Sequence, residues 1–139
     1  MFGTIVVAND GSDGGFKALE LGCELAKRER TSLHMISVEE IPTFPASIDE
    51  VIEIQALEDH KFHDVLARAR KIARARKVKL KAEVISGHAV AAIVGYVRAR
   101  KADLLIVGFM GHSALYDRII GSTSDRLVRL APCPVLVAK

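Results

Sequence analysis

Gly108, Gly111 and Gly121, with Ser122, Thr123 and Ser124 behind them, follow directly on the apolar run Leu104-Leu105-Ile106-Val107. A strand that ends in a glycine loop and passes into hydroxyl-bearing residues at a helix start is suited to hold an anion, phosphate above all. Glycine lets the backbone come close with no Cβ in the way. The first turn of a helix adds N–H groups without intrahelical partners and the positive end of its dipole. Neither standard nucleotide fingerprint is present: no GxxxxGK[ST] occurs, and no GxGxxG follows the first strand, so no P-loop lysine accompanies the loop. Taken alone, three glycines also serve turns that need positive φ.

A second group of interest is Asp10, in Asn9-Asp10-Gly11-Ser12 at the end of the apolar run Thr4 to Ala8. An Asp before Gly is an ordinary turn former. Opposite a phosphate cradle it gains another use, because a carboxylate accepts hydrogen bonds from ribose hydroxyls. Beside the phosphates it would repel them, so it belongs at the far end of the ligand.

Positioning both groups in one crevice requires a particular frame. Thr4 to Ala8, Ser32 to Val38, Val78 to Val84, Asp103 to Val107 and Pro134 to Ala138 read as strands. Helices are expected from Phe16 to Arg30, from Ser47 to about Arg76, over Ala89 to Arg100 and over Ser122 to Leu130. Ser47-Ile48-Asp49-Glu50 has the form of a capping box. The alternation of Lys79, Lys81 and Glu83 with apolar residues marks the third strand as half-wet or at an edge. Strictly alternating β and α with apolar strands calls for an α/β fold: a five-stranded parallel sheet with helices on both faces. Ligands of such sheets bind at the carboxyl ends of the strands, where the order reverses.

With 139 residues, half of them hydrophobic, the chain is expected to form one domain over 1–139. The longest uncharged apolar stretch, Leu104 to Met110, is far short of the roughly 20 residues that cross a bilayer, and the N-terminus shows no basic n-region. A cytoplasmic protein without membrane insertion is expected. Cys23 and Cys133 are too distant in sequence for a CxxC pair, and the five histidines are scattered, so no metal site is expected. The net charge of +3 is local: eight cations stand among the fourteen residues from Arg68 to Lys81. No aromatic residue interleaves them, which favours a solvated helix end over a nucleic-acid surface.

The chain resembles the universal stress protein family from end to end. The resemblance rests on Ile5 to Ser12, on Gly-x2-Gly-x9-Gly-Ser at Gly108, Gly111, Gly121 and Ser122, and on Ser124 to Lys139 with Ala131-Pro132-Cys133-Pro134-Val135-Leu136-Val137. It implies the adenine nucleotide alpha hydrolase-like fold with strand order 3-2-1-4-5, and the full glycine motif resembles the branch that binds ATP. By that similarity Ala8, Asn9, Asp10 and Val38 face the base and ribose. Val107, Gly108, Met110 and Gly111 follow the sugar and phosphates, and Gly121, Ser122, Thr123 and Ser124 close on the phosphates, with Ser124 reaching the terminal one. The implied ligand is ATP or AMP, with Mg2+ carried by the nucleotide. Phe109, Met110 and His112 depart from the polar or cationic residues that family loops often carry there, which makes AMP or ADP a rival to ATP.

The last strand is short and apolar, and at a sheet edge it would invite pairing with its twin. The family commonly dimerises this way, so a homodimer through Pro134 to Ala138 is expected. Three functions remain open: a nucleotide-binding stress or signalling protein, a slow ATP hydrolase or nucleotidyl-transfer enzyme, and a dimeric interaction module without nucleotide. Asp117, Asp125 and His112 near the loop form no clear catalytic constellation, and no catalytic residue is assigned.

Overall fold

Ile5–Ala8 (β1) is apolar at all four positions because both of its faces are covered, and Ile5, Val6 and Val7 have no solvent exposure. The computed structural model describes residues 1–40, 47–109 and 120–139. After β1 come Asp13–Glu29 (α1), Leu33–Glu40 (β2), Ile48–Ala75 (α2), Leu80–Gly87 (β3), Ala89–Ala99 (α3), Leu104–Gly108 (β4), Ser122–Leu130 (α4) and Val135–Ala138 (β5). All strand pairs are parallel and the order is β3-β2-β1-β4-β5. Strands one and four are therefore neighbours, as the resemblance implies.

The pleat divides the strands between two cores. Ile5, Val7, Leu33, Met35 and Ile106 face α1 and α2, where Leu19, Cys23, Phe62 and Ala69 cover them. Val6, Ile36, Leu105 and Val107 face α3 and α4, against Ile93, Val97 and Leu127. Helices thus pack on both faces. The eight residues of β3 pair with all eight of β2, so both strands run two or more residues past the ends that hydrophobic patterning marks. That extension carries Glu39 and Glu40 to the carboxyl edge of the sheet.

Helix α1 starts three residues before the expected Phe16. Ser12 is its N-cap, accepting from the Gly15 N–H at 3.1 Å, so Asp13, Gly14 and Gly15 form the first turn. In α2 the Ser47 hydroxyl accepts from the Glu50 N–H at 3.1 Å, one half of the capping box. At the chain reversals Arg30, Lys77 and Lys101 adopt positive φ with no glycine to signal it. Each reversal repeats one bond pattern, such as Val78 N–H to the Ala73 carbonyl at 2.9 Å, and each puts a cation beside a helix carboxyl end. Within the basic run Arg68 stacks on Phe16 at 3.8 Å and Arg76 lies 3.8 Å from Glu20, while Arg70, Lys71 and Arg74 face solvent. Pro42, Pro45, Met110, Gly111, His112 and Asp117 lie outside the described residues.

Candidate functional site

β1 and β4 lie side by side in the sheet, and a crevice of about 430 Å3 opens at their carboxyl ends. Its size falls in the ordinary range for small-molecule sites, about 300–1,000 Å3. Ala8, Asn9 and Asp10 enter from β1, Val38 from β2, Val107 and Gly108 from β4, and Gly121, Ser122, Thr123 and Ser124 from the start of α4. Ten of the twelve residues expected from the sequence thus share one cavity. The remaining two, Met110 and Gly111, lie outside the described residues.

The turn after β1 is held by polar side chains that satisfy its backbone. Buried Asn9 donates its N–H to the Ile36 carbonyl at 3.0 Å, and its Oδ1 accepts from the Gly11 N–H at 2.9 Å. Its carbonyl accepts from the Ser37 hydroxyl at 2.6 Å. Asp10 Oδ1 accepts from both the N–H and the hydroxyl of Ser12, which couples this exposed carboxylate to the cap of α1. Gly11 takes φ +88°, and Gly15 is required because a Cβ there would meet Asn9 Oδ1 at 2.3 Å.

Across the crevice α4 begins differently from the other helices. Ser12 and Ser47 cap α1 and α2, and Glu40 Oε1 accepts from the Ala89 N–H at the start of α3 at 3.1 Å. Among the described residues no side chain caps α4, whose N-cap is Gly121 in extended conformation at φ −61°. Gly121 donates its own N–H to the Phe109 carbonyl at 2.8 Å, and the Ser124 hydroxyl donates to the Gly108 carbonyl at 2.6 Å. These two bonds fix the helix start against the end of β4. The uncapped first turn, with Ser122 and Thr123 exposed on it, borders the cavity. Such a terminus attracts anions.

The other end of the crevice is acidic and apolar. Glu40 and Glu58 line it, with β1 standing between β2 and β4, so about 10 Å of sheet separates the end of β2 from the end of β4. Ile36, Phe62, Ile93 and Leu127 supply an apolar lining that motif reading does not find. Lys61 and Phe62 are also unforeseen there. They sit one turn before Val65 on the buried stripe of α2, and the only signal for them is that this helix is long enough to overshoot the strands. Behind the wall Glu39 is 8% exposed, and Gln55 donates to its carboxylate at 2.7 Å. Burial, then the nearby Asp59 carboxyl, pushes the Glu39 carboxyl above the usual carboxylate range.

Comparison with known proteins places this geometry. A universal stress protein of Methanocaldococcus jannaschii, MJ0531, is 29% identical over all of this chain and 83% of its own length. Among solved structures, UspA of Lactobacillus plantarum superposes with a TM-score of 0.84 at 23% identity, covering 99% of this chain and 98% of its own. A universal stress protein family protein of Arabidopsis thaliana, solved with AMP bound, superposes with a TM-score of 0.69 at 21% identity over 98% of this chain and 90% of its own. These structures share the fold. The family model described as the universal stress protein family matches residues 1–139, and this chain belongs to that family.

Proposed function

We propose that this protein binds an adenine nucleotide, AMP or ATP, in the crevice between β1 and β4 and acts as a nucleotide-responsive stress or signalling protein. The observation that carries the reading is the N-terminus of α4, which no side chain among the described residues caps, facing a cavity whose opposite side bears the Asp10 carboxylate. The base and ribose would lie toward Ala8, Asp10 and Val38, and the phosphates toward Gly121 to Ser124. That a family member was solved with AMP bound supports the choice of ligand. Mg2+ would come with ATP rather than from the protein. The proposal keeps the single domain over 1–139 and the cytoplasmic location expected from the sequence. It gives turnover no essential part: phosphate release well below the roughly 10 per second of a typical enzyme is expected.

The test is titration calorimetry with AMP and, separately, with Mg-ATP. A micromolar constant, about −8.2 kcal/mol, that is lost in Gly121→Val is the expected result. No heat with either nucleotide, in protein shown to carry none through purification, would overturn the reading.

Pairing through β5 belongs to the same proposal. β5 is an edge strand, Leu136 on it is 36% exposed, and Val128 and Leu130 on α4 are exposed as well. An open apolar edge of this kind is suited to its twin. Light scattering should give a mass near twice 15.1 kDa, and the mass of one chain would count against it.

A further inference from the structure

A second cavity, of about 760 Å3, occupies the seam between α3 and α4. It borders the first at Glu40, Ala89 and Thr123, which line both. Thr123, Arg126 and Leu130 form its α4 wall, spaced i, i+3, i+7 on one helix face. The α3 wall runs from His88 past Val94 and Gly95 to Arg98. Gly95 keeps this wall low, since a Cβ there would meet nothing within 4 Å.

The arginines of these two helices divide into two kinds. Arg100 donates to Glu83 at 2.7 Å and stacks on Tyr96, and Arg129 pairs with Asp125 at 3.4 Å. Arg98 and Arg126 are exposed and line the seam, and their guanidinium groups have no hydrogen bond or ion pair among the described residues. Among the described lining residues one acid, Glu40, stands at the mouth, and it is already engaged: it accepts from the Ala89 N–H at 3.1 Å and lies 3.9 Å from His88 Nδ1. Arg126 is three residues beyond Thr123, about 4.5 Å along the helix axis. An anion chain leaving the start of α4 would therefore meet a cation within one further turn.

We propose that this seam is a second anion subsite, which takes the far end of an adenine nucleotide whose phosphate chain runs past Thr123. The inference rests on the nucleotide reading above and deepens it by naming the ligand class: nucleotides with an extended polyphosphate chain. The chain ends either in free phosphate or in a second nucleoside. Val90, Val94 and Leu130 offer the second nucleoside an apolar wall, and the guanidinium groups can stack on its base.

Titration calorimetry with AMP, ATP, adenosine tetraphosphate and diadenosine tetraphosphate tests this on the wild type, on the Arg98→Gln/Arg126→Gln double variant and on Arg70→Gln/Arg74→Gln. The last removes the same charge from a remote, exposed stretch of α2. Charge-assisted hydrogen bonds predict that the seam variant loses about tenfold or more in affinity for both tetraphosphates, with AMP affinity unchanged within about twofold. The α2 variant should bind as the wild type does. Tighter binding of the diadenosine compound than of the linear tetraphosphate would support a second nucleoside in the seam, and equal binding would support the phosphate chain alone. Retained tetraphosphate affinity in the seam variant, or an equal loss in the α2 variant, would overturn the subsite while leaving AMP binding intact. Failure of all four ligands to bind the wild type would overturn both readings.

Discussion

The last residue of β4, Gly108, and the second residue of α1, Gly14, pack backbone against backbone. A Cβ on Gly108 would stand 2.6 Å from the Gly14 carbonyl carbon and 2.7 Å from its oxygen. This glycine of the loop motif therefore has a packing role whatever ligand the crevice takes. Gly108→Ala must push α1 away from the sheet edge, and overpacking of this kind costs about 1–3 kcal/mol. Urea denaturation should show the loss as a lower midpoint, and a midpoint equal to the wild type would show that the two backbones separate freely.

Ser124 gives a different test of the same corner. Its hydroxyl proton goes to the Gly108 carbonyl, so its work in this arrangement is to hold the start of α4 in place rather than to donate to a terminal phosphate. Ser124→Ala should cost about 1 kcal/mol of stability and weaken AMP and ATP alike in calorimetry. A loss confined to ATP would assign the hydroxyl to the terminal phosphate, as the family resemblance implies.

Tyr96 is 6% exposed, and its hydroxyl has no hydrogen-bond partner among the described residues. Burial raises its pKa, which keeps it neutral under the Arg100 guanidinium at 3.6 Å. A buried hydroxyl without a partner is a cost, so Tyr96→Phe should leave stability unchanged or raise it by up to about 1 kcal/mol. The ring and its cation contact remain in that variant. A lower thermal midpoint would reveal a partner for the hydroxyl.

Glu39 should make stability fall as pH rises. Its folded pKa is raised, by burial first and by Asp59 next, with Glu58 adding and Gln55 opposing. Between its unfolded and folded pKa values the native state binds the extra proton, so its contribution to stability is present below the ordinary carboxylate range and is lost as pH climbs through the folded value. Glu39→Gln keeps an acceptor for Gln55 and offers Asp59 an amide donor. Urea midpoints measured from pH 4 to pH 8 should decline more steeply with rising pH in the wild type than in the variant. Parallel curves would remove Glu39 as the source.

Periodicity and turn chemistry were enough to order the elements, while the family came from the resemblance of the motifs at Ile5 to Ser12, Gly108 to Ser122 and Ser124 to Lys139. Apolar runs such as Ile5 to Val7 and Leu104 to Val107 show buried parallel strands by composition alone, and the glycine spacing from Gly108 to Gly121 marks the loop at the strand ends. Boundaries were less legible where a partner decides them. The extension of β2 and β3 to Glu40 and Gly87 comes from pairing between the two strands, and the start of α1 comes from a hydroxyl cap that only the folded turn brings into reach.

The site divides along the same line. The sequence by itself determined which residues could meet a nucleotide, because glycine and hydroxyl groups suited to phosphate and a carboxylate suited to ribose hydroxyls are carried by single residues at readable spacings. Only the tertiary structure decided that Lys61, Phe62 and Ile93 share the crevice, that Gly108 is held by Gly14, and that Arg98 and Arg126 line one seam. Those facts depend on how far α2 overshoots the sheet and how α3 and α4 lie together, and such distances arise from packing between segments far apart in the chain.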